Sequence, residues 1–217
     1  MTHIANILFY LCGNEFLVPY LRRELTPDFD PERPELTPDP EPSCAVRIVQ
    51  ESFEGNNADL EAFREACRER SLPVLTLRCP NIIGTGMTGR MRRLAESIYR
   101  GSYFHVAGGE GRTSLIHATD VARAVAVAAG SVGEYALTDN TPHAIHDIAE
   151  ALARRIDDKR IFTWPAWLCR IWYSSDTYRF LTSDTCRQDT FAEAFPDFAP
   201  ADTVNYLLTH VYDDASL

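Results

Sequence analysis

Short apolar segments alternate with amphipathic helical segments through most of this 217-residue chain. The clearest example is residues 7–25, ILFYLCGNEFLVPYLRREL, where an apolar run is followed by a turn with one glycine and then by apolar side chains at helical spacing. Strands that alternate with helices indicate a mainly parallel sheet, because parallel neighbours are joined by long crossovers. The alternation therefore predicts an α/β fold with a Rossmann-like, mostly parallel sheet flanked by helices.

The same two patterns recur along the rest of the chain. Residues 44–53, CAVRIVQESF, fit either a strand or the first turns of a helix, because the periodicity does not decide between them. The other strands are predicted at residues 4–11, 72–78, 102–106, 114–118 and 133–139. Helices are predicted at residues 58–71, 89–101, 119–130, 144–156, 163–175 and 202–211, with Thr119 as the N-cap of the third.

Residues 26–42, TPDFDPERPELTPDPEP, interrupt this alternation with six prolines and six acidic residues. Proline removes backbone donors and fixes φ, so the stretch is predicted to be an extended connection without regular structure. Residues 161–217 differ in another way, since they contain all three tryptophans. We predict one Rossmann-like domain over residues 1–160 and a small helical C-terminal lobe over residues 161–217.

Charge and composition restrict the classes of partner. The net charge of −10 opposes binding to nucleic acid or to an anionic membrane. No apolar stretch approaches the ~20 residues that span a bilayer, and no basic segment precedes the first apolar run. The six cysteines are scattered, with no C-x-x-C pair and no histidines at zinc spacing, so no metal site is predicted. Together these features predict a cytoplasmic protein.

Three segments, in order, resemble the NAD-dependent epimerase/dehydratase family of extended short-chain dehydrogenase/reductases. LPVLTLRCPNIIGTG resembles the family's L-R-P-x-N-x-Y-G-P-G, and GGEGRTSLIHATDVARAV resembles its G-x-G-x-x-R-x-x-x-H-V-x-D-x-A-x-A segment. GEYALTDNTPHAIHDIAEALA resembles a later strand followed by a polar turn and a helix. The chain is identified as a shortened and degenerate member of this family.

The resemblance implies that the fold binds NAD(P) and acts on a nucleotide sugar. It assigns Gly13 to the cofactor turn and Pro80 to the nicotinamide pocket. It assigns Asn81 and Arg112 to the phosphates of the nucleotide sugar, although Arg112 lies one residue before the family's arginine, where this chain has Thr113. Because family members often pair through two helices, a homo-oligomer or a protein partner is also expected.

The cofactor turn departs from the family's G-x-x-G-x-x-G. The three glycine positions fall on Cys12, Glu15 and Val18. Side chains there would stand where backbone must approach a pyrophosphate, and Glu15 would place a negative charge at the helix N-terminus. The turn therefore predicts poor cofactor binding.

The family's catalytic Y-x-x-x-K is missing in either way of placing it. Counting back from LPV places the motif on Phe53 and Asn57, whereas counting forward from the proline-rich stretch places it on Cys44 and Ile48. Neither pair supplies a phenol and a cation, and the single lysine, Lys159, is far from both. No catalytic residue is assigned.

The connection between the first helix and the strand near Leu72 is also too short for the family's intervening strands and helices, which predicts a truncated first half. The favoured function is a non-catalytic relative that binds a ligand or a partner. The alternative is an active NAD(P)-dependent nucleotide-sugar epimerase, dehydratase or reductase with unconventional cofactor binding. A third hypothesis is a cysteine nucleophile at Cys12 or Cys79. Any ligand is expected near residues 12–14 and 79–86, with Arg112 at the rim.

Overall fold

The computed structural model describes residues 2–26, 41–50, 57–156 and 158–209. Its strands are β1 (Thr2–Ile4), β2 (Ile7–Tyr10), β3 (Cys44–Gln50), β4 (Val74–Cys79), β5 (Ile82–Ile83), β6 (Phe104–Val106), β7 (Arg112–Ser114), β8 (Ile116–His117), β9 (Gly133–Ala136), β10 (Pro142–Ala144), β11 (Phe162–Trp164) and β12 (Asp184–Thr185). Its helices are α1 (Val18–Leu25), α2 (Asn57–Glu69), α3 (Gly89–Tyr99), α4 (Ala118–Ala128), α5 (Ile145–Arg155), α6 (Ala166–Trp172), α7 (Ser175–Thr182), α8 (Phe191–Ala194) and α9 (Thr203–Thr209).

The central sheet has five strands in the order β1-β2-β3-β4-β9. Strands β2, β3, β4 and β9 are parallel, which confirms the predicted α/β fold with a mostly parallel sheet. The predicted single strand at residues 4–11 is wrong, because β1 and β2 form an antiparallel hairpin. Its turn includes Ala5, which has a φ of 52°. The second turn residue is the polar Asn6, a residue type typical of tight turns, so residues 4–11 are not a continuous apolar run.

The helices around this sheet lie on two faces. Ile7 and Phe9 of β2 pack in the same core as α1 and α4, whereas Leu8 and Tyr10 pack with α2 on the other face. Strand β3 follows β2 in the sheet, and β4 follows β3 on the same side. The helices that connect these strands, α1 and α2, nevertheless lie on opposite faces of the sheet. Two right-handed crossovers in one direction would place both helices on one face. The two connections therefore do not share one handedness.

A second core lies beyond the carboxyl ends of the strands. It joins α3 and α5 with side chains of α7 and α9. Strand β11 pairs with β6, and β12 pairs with β7, so strands after residue 160 complete small sheets that begin before it. The division into domains at residue 160 stays a prediction.

Helix α4 begins differently from the prediction. His117, not Thr119, is the N-cap, and its Nδ1 accepts a hydrogen bond of 3.2 Å from the backbone N–H of Thr119. The prediction was wrong because an imidazole nitrogen at the end of β8 performs the role that was assigned to a hydroxyl. Residues 27–40 of the proline-rich connection lie outside the described residues. No helix in the described ranges has the length and apolar character needed to cross a membrane.

Candidate functional site

The turn after β2 is tightly closed on itself. Cys12 and Gly13 have φ angles of 50° and 79°, in the left-handed region. Asn14 is fully buried, and both its backbone N–H and its Nδ2 donate to the carbonyl of Leu11, at 3.0 and 2.9 Å. The side chain of Asn14 therefore supports the turn from inside, and its donors point back into the protein.

The loop after β5 packs directly on this turn. Oγ1 of Thr88 lies 3.3 Å from Oδ1 of Asn14 and 3.4 Å from the carbonyl oxygen of Gly13. The backbone N–H of Thr85 donates to the hydroxyl of Tyr20 at 2.8 Å. The turn at residues 12–14 is thus in contact with Thr88, two residues beyond the predicted segment 79–86, and Thr85 within that segment is bonded to Tyr20 of α1.

The three positions of the family's glycines have different surroundings. Cys12 is buried in the core with Tyr10 and Phe63, Glu15 is exposed, and Val18 begins α1 half-buried. A dinucleotide pyrophosphate is normally held by open glycine backbone at a helix N-terminus. Here the backbone N–H of Asn14 donates to Leu11, Thr88 lies against the carbonyl of Gly13, and a carboxylate stands in the first turn. The described residues do not fit the phosphates of NAD(P).

Asn81 and Arg112 do not come together. Asn81 is 2% exposed, and its Nδ2 donates to Oγ1 of Thr113 at 2.9 Å and to the carbonyl of Ser114 at 3.3 Å. Arg112 is exposed, because consecutive side chains of β7 point to opposite sides and Thr113 takes the inward direction. The assignment of Asn81 and Arg112 to a ligand stays a prediction.

Arg112 has a different neighbourhood on its own side of β7. Hydrogen bonds from the backbone and thiol of Cys186, together with the charge of Arg112, lower the pKa of the Asp184 carboxyl. Burial and the nearby Asp184 raise the pKa of the Cys186 thiol to about 11. The group is a surface cluster of one cation, one carboxylate and one neutral thiol.

The remaining predicted residues lie at the ends of the strands. Gly13 is half-buried, and Pro80 is buried between β4 and β5. Cys79 is fully buried and Cys12 is 8% exposed, so neither thiol has the open access that a nucleophile needs. The structure therefore gives no support to cysteine catalysis.

One of the two placements of the catalytic motif is wrong. Cys44 and Ile48 both lie in β3, where residues four apart are separated by about 13 Å and cannot act as a helical tyrosine–lysine pair. In the other placement, Phe53 lies outside the described residues and Asn57 begins α2. Lys159 lies after α5, with its Nζ 5.9 Å from the ring centroid of Tyr99.

A buried histidine–carboxylate pair escaped the sequence analysis. Nε2 of His143 lies 2.7 Å from Oδ2 of Asp139, and the two side chains are 5% and 0% exposed. The same Oδ2 accepts the backbone N–H of Thr203 at 2.9 Å, and Oδ1 accepts that of Thr141 at 3.2 Å. His143 is opposite Thr113 in the pairing of β10 with β7, so this pair adjoins Asn81 and Thr113. In the sequence it looked like an ordinary polar turn.

A second unpredicted cluster joins β6 to α5. Nε2 of His105 lies 2.9 Å from Oε1 of Glu150, and the ring of His146 stacks on that of His105 with centroids 3.7 Å apart. Burial lowers the pKa of His105, and the hydrogen bond with Glu150 opposes this effect. The only sequence signal is the helical spacing of His146 and Glu150, because His105 is 41 residues before His146.

Comparisons with known proteins agree with this architecture. Residues 59–138 match the model of the NAD dependent epimerase/dehydratase family. No curated protein matches the chain. A candidate epimerase from Burkholderia cenocepacia J2315 has a similar structure at 14% identity and a TM-score of 0.51, over 80% of this chain and 63% of its own.

The human epimerase family protein SDR39U1 (isoform 2), whose crystal structure contains NADPH, matches over 99% of this chain and 83% of its own, at 13% identity and a TM-score of 0.52. At such low identity the two structures show the fold alone. The chain spans less than two thirds of the length of the Burkholderia protein. The resemblance is confirmed for residues 59–138, which match the model of the NAD dependent epimerase/dehydratase family, and the chain has the Rossmann-like fold of the two solved structures.

Proposed function

We propose that this chain is a non-catalytic relative of the NAD-dependent epimerases and dehydratases that has kept a ligand-binding surface. The observation that carries the proposal is the contact of Thr88 with Gly13 and Asn14 at 3.4 and 3.3 Å. This contact holds the loop after β5 against the turn at which a cofactor's phosphates would rest, and the backbone N–H of Asn14 in that turn already donates to Leu11. An exposed Glu15 beside it adds repulsion toward an anion.

The substrate side supports the same proposal. Thr113 stands where the family has its arginine, and its hydroxyl is already bonded to Asn81. A short polar side chain cannot replace the bidentate charge of a guanidinium toward a diphosphate. Binding of a nucleotide sugar in the family's manner would therefore lack its main cation.

A cleft beside β7 is the surface that we assign to the ligand. It has a volume of about 430 Å³. Its lining combines amide, hydroxyl, guanidinium and carboxylate groups from Ser114, Asn140, Arg187, Gln188 and Glu193. A small polar molecule, such as a nucleotide sugar, is the class of ligand that such a lining suits. The scattered cysteines favour a reducing compartment, so we place the protein in the cytoplasm.

One observation favours the alternative of an active enzyme. The human protein that matches 99% of this chain was crystallised with NADPH. If this chain bound NAD(P) in the same region, the loop around Thr88 would have to move away from the turn after β2. The alternative is thus an NAD(P)-dependent enzyme with unconventional cofactor binding.

Calorimetric titration of the full chain with NAD, NADH, NADP and NADPH separates the two functions. We expect no binding heat up to millimolar cofactor, with circular dichroism confirming a folded protein and an NAD-binding epimerase as the positive control. Micromolar binding of any of the four would overturn the proposal.

Two variants locate any binding that is observed. Glu15→Gln removes the charge beside the turn, whereas Glu24→Gln removes an equally exposed charge at the far end of α1. Binding at the turn would tighten in the first variant and stay unchanged in the second. The cleft is tested by the same titration with UDP-glucose, on the unchanged protein and on Arg187→Ala. Weaker binding of UDP-glucose by the variant supports the cleft as the binding site. Absence of binding to the unchanged protein rejects the assignment of a nucleotide sugar to the cleft.

A further inference from the structure

Three side chains with metal-binding atoms converge between β6 and α5. They are His105, His146 and Glu150, and one potential ligand atom of each lies within 4.8 Å of those of the other two. His146 and Glu150 are four residues apart on α5, so they project from the same helix face. His105 comes from β6 and faces them. Two elements that are distant in sequence thus supply three ligands to one point.

The inner ligand is held in a fixed orientation. The His105 side chain is 5% exposed, and its Nδ1 lies 3.4 Å from the hydroxyl of Tyr103. That contact leaves Nε2 directed at Glu150. Histidines that bind metals commonly use their second ring nitrogen in this way, because the outer partner fixes the tautomer and the ring plane.

The outer ligands have the freedom to close around an ion. His146 is exposed, and the Glu150 side chain is 40% exposed. Zinc ligands about 2.0–2.2 Å from the ion in tetrahedral geometry are about 3.4 Å apart. The ligand atoms here lie within 4.8 Å of one another, so the side chains of His146 and Glu150 would rotate toward His105 to bind an ion. The exposed side of the group leaves a fourth position open to water.

We propose that His105, His146 and Glu150 form a binding site for a divalent transition-metal ion, with Zn²⁺ as the preferred ion. Two imidazoles and one carboxylate are a donor set that zinc accepts with three protein ligands and one open position. Mg²⁺ and Ca²⁺ are disfavoured, because they prefer sites made of oxygen atoms. The site lies in the second core, away from the turn after β2, and is independent of the proposed function.

Titration with zinc tests this site directly. ZnCl₂ is added to the full chain in chelator-stripped buffer with a phosphine reductant, and calorimetry records the stoichiometry and the affinity. We expect one ion per chain with a micromolar or tighter dissociation constant. The absorption spectrum of Co²⁺ at the same site should show ligand-field bands without the charge-transfer band of a thiolate ligand.

Variants separate this site from the chain's thiols. His146→Ala and Glu150→Gln should each weaken zinc binding at least about tenfold, since even the loss of an outer partner costs roughly 10–100-fold. Cys186→Ser removes the most exposed thiol and should leave the affinity unchanged. His146 is exposed but stacks on His105, so His146→Ala should unfold cooperatively without metal, with a loss of no more than about 1 kcal/mol in the free energy of unfolding. Absence of zinc binding, or equal affinity in both ligand variants and the unchanged protein, would overturn the proposal.

Discussion

The side-chain amide of Asn81 donates a hydrogen bond of 2.9 Å to the hydroxyl of Thr113, and both side chains are buried at the carboxyl ends of the strands. The resemblance predicts a ligand-binding arginine at the position of this threonine. In the structure the two side chains contact each other inside the protein. The adjacent Arg112, displaced by one residue, faces the surface near Asp184 instead.

Replacement of Thr113 by valine should destabilise the fold. Valine has the same shape but removes the acceptor of Asn81 Nδ2, and Oδ1 of Asn81 is already buried without a partner among the described residues. Nδ2 keeps the carbonyl of Ser114 as an acceptor, but its second N–H would be buried without one, which costs about 1–3 kcal/mol in the free energy of unfolding. Urea unfolding measures the loss, and Thr163→Val at an exposed site is the control. Equal stability of the two variants would contradict the role of this hydrogen bond.

The order of strands and helices could be predicted because it depends on local periodicity. Helices α4 and α5 carry apolar residues on one face, and the apolar segments around β2 and β4 have the length of buried strands. The hairpin of β1 and β2 was missed because its turn contains neither glycine nor proline and its one polar turn residue, Asn6, was counted within an apolar run. The capping role of His117 was missed because imidazole is an unusual cap.

The candidate sites were less accessible to sequence reasoning, because they depend on contacts between distant segments. The contact of Thr88 with Asn14 joins residues 74 apart, and nothing local to either predicts it. His105 and Glu150 likewise meet only after α5 has packed on β6. The outward direction of the Arg112 side chain could, in contrast, have been predicted from the sequence, because a shift of one residue in a strand moves a side chain to the opposite face.

Replacement of Asp139 by asparagine should undock α9 from the second core. The carboxylate accepts hydrogen bonds from His143 and from the backbone N–H of Thr203 at the start of α9. An amide in its place cannot accept both at one oxygen with the same strength, and loss of a hydrogen bond to a charged group costs about 1.5–3 kcal/mol. Asp176→Asn, at a side chain that is 90% exposed, is the control in urea unfolding. A difference between the two variants below about 0.5 kcal/mol, the usual scatter of surface changes, would refute the prediction.

The stability of the protein should fall steeply at alkaline pH. The Tyr173 hydroxyl donates to the carbonyl of Phe104 and accepts its backbone N–H, and burial raises the pKa of Tyr173 to about 12. An unfolded tyrosine has a pKa of about 10. The folded state therefore favours the neutral phenol, so its contribution is complete below pH 10 and is lost as the pH rises toward 12.

Tyr173→Phe tests this pH dependence. The variant should be less stable at neutral pH by about 1 kcal/mol, from the lost hydrogen bonds, and should lose less stability between about pH 10 and pH 12. Tyr103, whose pKa burial also raises, keeps part of the dependence in the variant. Tyr99→Phe changes a ring that is 69% exposed and should leave the alkaline slope as it is in the unchanged protein. An identical slope in all three proteins would show that Tyr173 is not responsible.

Replacement of Gly111 by alanine should disturb the contact between the start of β7 and α7. An added Cβ would overlap the backbone carbonyl of Leu181, lying 2.6 Å from its carbon, and would lie 2.9 Å from the carbonyl oxygen of Phe180. Backbone atoms cannot rotate away as a side chain can, so we expect a loss of about 1–3 kcal/mol, the usual cost of an overpacked core. Gly101→Ala is the matched control, because Gly101 has a φ of 67° but no atom within 4 Å of an added Cβ. Its cost of about 1 kcal/mol comes from the backbone conformation alone. If thermal unfolding showed Gly111→Ala to be no less stable than Gly101→Ala, the close approach of these two segments would not contribute to the fold.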